Sequence, residues 1–481
     1  MPAADQEIEL KFVLPEDQAE PVWQAMGGAE AKPAALTSVY FDTAGRRLRR
    51  SGIALRVREK KGVFVQTVKS GGGVARGEWE TAIPTAAPDR SALAGTPAAA
   101  LLPKKADLLP AFSVRVQRRA IELQEGRSRI EACLDTGEIR AGGRTVPVRE
   151  IELELLHGEV GDLFALARRL MADAPLTLSF TTKSGRGYRL ADGEAPRTLP
   201  LDDDMTAIQG LQALGAGALA DLSEAIQAFL TEPGVEPVHR IRVALRRLRG
   251  AISTFKKVCA DDEREAVDAE LKWLAGQLDA ARDLDVLLQY TLPDLEETPQ
   301  ALVDRVAVAR GEAYAAAEHA LESLRTRALL LNTLQWLSFG AWTERESPPL
   351  KAFAAGRLAK RRKKMLERGE HLARLSPEDR HRLRIDGKKL RYDSEALAGL
   401  FDRPKKAKAL VSALKGLQDV LGALNDAQAG AARLEALAEA DETAREAALA
   451  AAGTLRAQEE ASDKTARKAW KTFEKARPFW A

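Results

Sequence analysis

The chain has 481 residues, 45% of them hydrophobic, and a formal net charge of +3, which is enough apolar content for two or three cores and too little charge to name a partner. Its two cysteines, Cys133 and Cys259, stand outside any CxxC or Cys/His cluster, which excludes a disulfide framework and a zinc site. No run of 18 apolar residues occurs and the opening MPAADQEIEL lacks the basic and apolar regions of a secretory signal, so a cytoplasmic protein without a membrane segment is expected.

From about residue 7 to 190 the sequence reads mainly as strands. EIELKF, SVYFD, ALRVRE, VFVQTVK, GEWETAI, FSVRVQRRAIEL, SRIEACLD and VREIELELL alternate with period two and are spaced by turn signals such as Ala141-Gly142-Gly143. Asp162 to Ala172 has helical spacing. Eight antiparallel strands are enough to close into a barrel or tunnel. DGEAPRTLPLDDD, between Asp192 and Asp204, is rich in proline and acid and reads as a linker. From Met205 onward alanine and leucine recur with a 3.6-residue period, which predicts helices to the C-terminus.

Side chains two apart on a strand share a face. That puts Glu7, Glu9 and Lys11 together, Arg56 with Arg58, Thr67 with Lys69, Glu78 with Glu80, Glu131 with Cys133 and Asp135, and Glu150 with Glu152 and Glu154. The opposite face of most of these strands is apolar, as with Ile151, Leu153 and Leu155, and is the face a core would claim. If the sheet closes, the charged faces converge on one lumen. Clustered carboxylates repel one another unless cations neutralise them, oxygen-only ligands suit Mg²⁺ or Mn²⁺, and interleaved Arg and Lys suit phosphate oxygens. A metal-bound polyanionic phosphate is the expected ligand.

EIELK, VYFDT, LRVREK, QTVK, RGEWE, LDTGEI, EIELEL and TTKSGRGY, in this order, resemble the CYTH domain of the triphosphate tunnel metalloenzymes over roughly residues 5 to 192. The resemblance implies an eight-stranded tunnel that hydrolyses a triphosphate with two divalent cations. By position, Glu7, Glu9, Glu152 and Glu154 would hold metal, with Asp135 a further ligand and Glu78 and Glu80 behind it. Lys11, Arg56, Arg58, Lys69, Lys183 and Arg186 would grip phosphate. A basic residue is also implied on SVRVQRRAIEL, where Arg118 is favoured and Arg115 and Arg119 stay open.

The helical region contains a repeat. HRIRVALRRLR from His239 and HRLRIDGKKLR from His381 carry basic residues at the same offsets. Downstream, LKWLAGQLDAARDLD matches LKGLQDVLGALNDAQ, so that Asp283 and Asp426 correspond. Each half reads as a bundle of about four helices. On a helix, His239, Arg242, Arg246 and Arg249 fall within about 80° of one another, beside the core-facing sector of Ile241, Leu245 and Leu248. His381, Arg384, Lys388 and Arg391 do the same. Residues 351–391 carry fifteen Lys or Arg against five Asp or Glu, and Arg357, Lys360, Lys364 and His371 form a third stripe. HRIRVALRRLR, ARDLD, HRLRIDGKKLRY and LNDA resemble the CHAD domain over about residues 205 to 478. That resemblance implies two four-helix halves around a basic cavity for inorganic polyphosphate, walled by both histidine stripes together with Lys360 and Lys364.

The expected architecture is multidomain α+β: an eight-stranded antiparallel β tunnel over residues 1–199 and an all-α pair of four-helix bundles over 205–481. The expected activity is hydrolysis of tripolyphosphate to pyrophosphate and phosphate, with association to polyphosphate granules. A polyphosphate-binding protein with little catalysis, and a triphosphatase or cyclase acting on an organic triphosphate, are the alternatives. Nucleic acid ranks lower, because stacking aromatics beside the stripes are few and Tyr392 is the nearest.

Overall fold

The structure is a computed structural model that describes residues 5–60, 62–71, 75–103, 105–193, 201–293, 299–440, 445–460 and 463–481. Residues 194–200 of the expected linker lie outside it. The chain divides into two compact units, one of residues 1–197 with Leu330–Ser338 and the other of Thr198–Leu329 with Phe339–Ala481. Among the described residues no helix is long and apolar enough to cross a membrane.

The first unit is an antiparallel sheet. Its strands are β1 (Asp5–Val13), β2 (Ala34–Asp42), β3 (Ile53–Lys60), β4 (Val63–Ser70), β5 (Ala75–Ile83), β6 (Leu109–Glu125), β7 (Ser128–Ala141), β8 (Arg144–His157) and β9 (Thr177–Leu178). Their order is β5-β4-β3-β2-β6-β7-β8-β1-β9, and β1 pairs β5 as well as β8. The sheet thus has nine strands where eight were expected. The ninth is two residues long, paired to Phe12 and Val13, and is too short to show an alternation in sequence.

Period-two alternation sends apolar side chains to one face of the sheet and charged ones to the other. Leu10, Phe12, Ile151 and Leu153 are each at most 1% exposed. The helix α4 (Val160–Asp173) packs against β6, β7 and β8. Three short helices, α1 (Ala19–Ala25), α2 (Arg47–Arg50) and α3 (Pro97–Leu101), escape a periodicity argument because none exceeds two turns. Leu48 of α2 and Ala98 of α3 join Phe41, Ile53, Leu55, Val57 and Val68 in a separate core on the uncharged face of β2 to β4. The charge-bearing face is therefore spared from the core on most strands.

One further helix of this unit, α5 (Lys183–Asp192), was not legible because two glycines, Gly185 and Gly187, sit inside it. Thr182 caps it by accepting from the Gly185 N–H at 3.0 Å. Tyr188 of α5 packs with Tyr40, Phe112, Val114, Val116, Ile139 and Val148, so the charged face gives way to an apolar one at this end of β6 to β8. Gly187 is required there: a Cβ would lie 2.1 Å from the Phe112 ring. Asp42, fully buried, accepts from the N–H groups of Thr43, Leu48 and Arg49 and from the Tyr188 hydroxyl, tying α5 to the start of α2.

The second unit is helical: α6 (Ala207–Thr231), α7 (Val235–Thr254), α8 (Asp262–Gln277), α9 (Asp279–Val286), α10 (Gln300–Glu322), α11 (Leu324–Phe339), α12 (Leu350–Gly369), α13 (Pro377–Leu397), α14 (Pro404–Ala440), α15 (Arg445–Glu460) and α16 (Asp463–Lys475). Part of α11 clusters with the first unit. These are eleven α-helices among the described residues, against about eight expected. Part of the excess arises at Leu278, where a single residue separates α8 from α9 within one periodic stretch. The predicted stripes lie on α7 and α13, and the third on α12, except that His371 falls beyond the end of α12.

Candidate functional site

Register partners on neighbouring strands share a face, and the observed register builds the site row by row. Val13, Glu150, Asp135 and Arg118 form one row, Lys11, Glu152, Cys133 and Ala120 the next, and Glu9, Glu154, Glu131 and Glu122 the third. Lys69 faces Glu78, while Arg56 and Thr67 face Glu80. Two groups of carboxylates result, each with oxygens within 4.8 Å of one another: Asp135, Glu150 and Glu152, and Glu7, Glu9 and Glu154.

The two groups differ in how they are neutralised. Around the first, Arg118 donates to Asp135 at 2.6 and 2.7 Å and to Glu152 at 2.6 Å. Lys183 lies 2.6 Å from Asp135 and 3.0 Å from Glu152 and also pairs with Glu150, which Arg186 meets too. Lys11 pairs with Glu152 and, at 2.5 Å, with Glu9. Burial works to raise the Glu152 carboxyl, but Lys11, Lys183 and Arg118 together hold it well below the usual range. Burial likewise works to lower the Lys183 ammonium, and Glu150, Glu152 and Asp135 outweigh it and raise it.

The second group has fewer cations. Lys69 reaches Glu7 at 2.9 Å and Glu78 at 2.8 Å. Glu154 is pushed up to about 7, first by burial and then by the charges of Glu7 and Glu131. Arg56 lies 3.5 Å from Glu78 and 3.4 Å from Glu80, and Arg58 donates to Ser38 at 3.0 Å. Burial, with Arg56 and Arg118 nearby, lowers the Arg58 guanidinium to about 10. One side of the face is therefore short of positive charge, while Arg58 has no carboxylate within ion-pair distance among the described residues, and the more distant charge of Asp135 offsets only part of its burial.

In the helical unit the stripes are less uniform than their sequences. Arg242 pairs with Asp279, and Arg249 lies 3.1 Å from Asp268. Arg246 on α7 instead stacks over the ring of Tyr392 on α13, its guanidinium carbon 5.0 Å from the centroid, and Arg391 stacks on the same ring at 4.5 Å. His239, His381 and Lys360 are exposed, and Arg384 and Lys388 are half-buried. Burial and the charge of Arg282 lower the His239 imidazole. On α12, Lys364 is 3.4 Å from Asp386, Arg368 pairs with the same carboxylate, and Arg361 is 2.6 Å from Asp393. Asp283 is 3.5 Å from Arg433, while the side chains of Asn425 and Asp426 lie outside those described.

Comparison with known families settles the two halves separately. The CYTH domain profile matches residues 5–188, and the CHAD domain profile matches residues 213–435. The chain is a CYTH–CHAD two-domain protein. An inorganic triphosphatase of Haemophilus influenzae is 31% identical over 161 residues, which cover 32% of this chain and 46% of that protein. The match thus spans less than half the length of that relative. The crystal structure of the CHAD domain from Ricinus communis is 29% identical with a TM-score of 0.54, covering 59% of this chain and 98% of that one.

Within the CYTH domain, the acids Glu7, Glu9, Asp135, Glu152 and Glu154 and the bases Lys11, Arg118, Lys183 and Arg186 all lie in the two carboxylate groups or in direct contact with them. Arg56, Arg58 and Lys69 occupy the adjoining strands of the same face. Of the three arginines on β6, Arg118 faces the acids, Arg119 pairs with Glu20 and lies over Trp23, and Arg115 is exposed. Glu150 was not selected as a ligand, although its place two residues before Glu152 was a sufficient signal. In the CHAD domain the side chains that sequence reasoning passed over are Arg361, Asp386 and Asp393, whose pairing across α12 and α13 leaves no trace in the periodicity of either helix.

Proposed function

We propose that the CYTH domain is a metal-dependent inorganic triphosphatase that converts tripolyphosphate to pyrophosphate and phosphate, and that the CHAD domain binds inorganic polyphosphate. The observation that carries the first part is the unequal neutralisation of two carboxylate groups on one face. In this reading β1, held between β8 and β5, closes strands β1 to β8 into a tunnel whose lumen is that face. The donor set Glu7, Glu9 and Glu154 fits Mg²⁺ or Mn²⁺: it is all oxygen, its atoms lie within 4.8 Å of one another, and Glu154 is raised as expected for acids lacking a cation. Asp135 and Glu152, already paired with three basic side chains, Lys11, Arg118 and Lys183, would be secondary ligands at most.

A divalent cation supplies charge neutralisation at the phosphate oxygens. The chain's own contribution is positional. Arg56, Arg58, Lys69 and Arg118 would grip the phosphates, with Arg58 gaining an anion within ion-pair distance. Lys11, Lys183 and Arg186 would hold the acid face in place. Water adds to the terminal phosphorus, the anhydride P–O bond breaks, its electron pair leaves on pyrophosphate, and the water's protons pass to solvent.

The test is phosphate release from tripolyphosphate, ATP and thiamine triphosphate in Mg²⁺ or Mn²⁺, for the unaltered chain and for Glu7→Gln with Glu9→Gln. Metal-dependent turnover of tripolyphosphate that falls at least about 100-fold in the variant is expected. No metal-dependent turnover of any of the three would overturn the enzyme reading. For the CHAD domain, support comes from the meeting of stripes from both repeats at Tyr392. A polyphosphate gel shift with Arg246→Gln and Arg384→Gln should show weakened binding, and unchanged affinity would count against it. A chain that holds polyphosphate in this way would co-sediment with polyphosphate granules.

A further inference from the structure

The CHAD domain holds two like charges against one aromatic ring. Arg391 is fixed on the Tyr392 ring and also donates to Gln418 at 2.8 Å and Glu395 at 2.9 Å. Arg246 has the ring alone: among the described residues no carboxylate stands within ion-pair distance of it, though it is half-buried. Burial lowers its guanidinium, with Arg391, Arg242 and Arg247 acting in the same direction and Tyr392 opposing them. A half-buried cation among cations is costly, and a ring face offsets only part of that cost. Arg242 and Arg249, one turn to either side, do have acidic partners, so Arg246 stands out on its own helix.

We propose that Tyr392 is a positioning residue for a linear phosphate chain, its ring setting Arg246 of the first repeat and Arg391 of the second so that both address the same run of phosphate oxygens. This deepens, and rests on, the polyphosphate reading of the CHAD domain. Polyphosphate is favoured over nucleic acid by the ring itself. A single-stranded nucleic acid site needs aromatic faces free to stack bases, whereas this ring is engaged by guanidinium groups. What the pair offers is charge and N–H donors, which a phosphate lattice without bases can satisfy.

The experiment uses the full chain with Tyr392→Leu and Tyr392→Phe, each checked for an unchanged circular dichroism spectrum, and titrates polyphosphate of defined length at several salt concentrations. Tyr392→Leu should weaken binding about tenfold and lower the slope of log affinity against log salt by about one, because one ordered phosphate contact is lost. Tyr392→Phe retains the ring and should stay within about twofold of the unaltered chain. Unaltered affinity in Tyr392→Leu, or equal losses in the two variants, overturns the positioning role while the polyphosphate reading stands. Failure of the unaltered chain to bind polyphosphate overturns that reading and the inference with it. Tighter binding of single-stranded RNA at equal phosphate concentration, with the same loss in Tyr392→Leu, overturns the choice of ligand.

Discussion

Glu154 offers a direct test of the metal reading. Its carboxyl is lifted from the ordinary 4.5 to about 7 by burial, then by Glu7 and Glu131. Taken at face value that rise is worth ~3 kcal/mol, and allowing for the solvent that reaches a half-buried group leaves about 2 kcal/mol. A divalent cation and the proton compete for the same oxygens, so apparent metal affinity follows the deprotonated fraction. With a midpoint near 7, that fraction is roughly a tenth at pH 6 and nine tenths at pH 8, and Mg²⁺ or Mn²⁺ affinity should rise about tenfold between them. An ordinary carboxylate would change by only a few per cent. Calorimetric titration of the full chain with Mg²⁺ in two buffers of different ionisation enthalpy reads both quantities at once. Proton release per bound metal should approach one at about pH 6 and vanish near pH 8. Glu154→Gln should remove the slope and the released proton together. A flat affinity over this interval, or a slope that persists in Glu154→Gln, refutes the reasoning. Stability of the metal-free protein runs the opposite way: between 4.5 and 7 the folded state binds more protons than the unfolded one, so stability is lost as pH rises through that window, and saturating Mg²⁺ should offset the loss.

Lys183→Met strips the buried Asp135, Glu150 and Glu152 of a shared cation; a loss of about 3 kcal/mol in chemical denaturation and at least a tenfold fall in kcat/KM for tripolyphosphate are expected, and a variant as stable and active as the parent would refute the neutralising role. Gly187→Ala places a methyl 2.1 Å from the Phe112 ring and should cost about 1–3 kcal/mol; a melting temperature within one degree of the parent would show that α5 yields without penalty. Asp42→Asn turns an amide N–H₂ toward a set of donors that includes the Tyr188 hydroxyl, so about 2 kcal/mol of destabilisation should appear in the urea midpoint, and no shift would mean that this contact does not anchor α5.

The CYTH half was legible because its chemistry and its periodicity coincide. Alternation alone puts Glu7, Glu9 and Lys11 on one face and Leu10 and Phe12 on the other, and the sheet preserves that division. What alternation could not reveal is the helix that completes the site. Gly185 and Gly187 hide the helix because glycine disfavours helices, yet Gly187 is dictated by the Phe112 ring lying against it, a tertiary constraint absent from the local sequence. The consequence is functional, since the first two turns of α5 carry Lys183 and Arg186 to the acids. Nor could a strand pattern separate Asp135, Glu150 and Glu152 from Glu7, Glu9 and Glu154. Both groups are acidic in sequence, and only the placement of four basic side chains makes one satisfied and the other short of charge.

The same limit governs the CHAD half. Helical arithmetic puts Arg242, Arg246 and Arg249 on one stripe and cannot tell them apart, because what differs is the neighbour each meets on another helix. Asp279 and Asp268 claim the outer two, and Asp386 and Asp393 of α13 claim Lys364, Arg368 and Arg361 of α12. A basic stretch read as fifteen cations against five acids is therefore partly an internal salt-bridge network, and its local excess overstates the charge open to a ligand. The excess that survives is concentrated where acids do not reach. Arg246 is such a position among the described residues, and its contact with a tyrosine from the other repeat gives a physical reason for the duplication: neither repeat alone holds both guanidiniums against one ring.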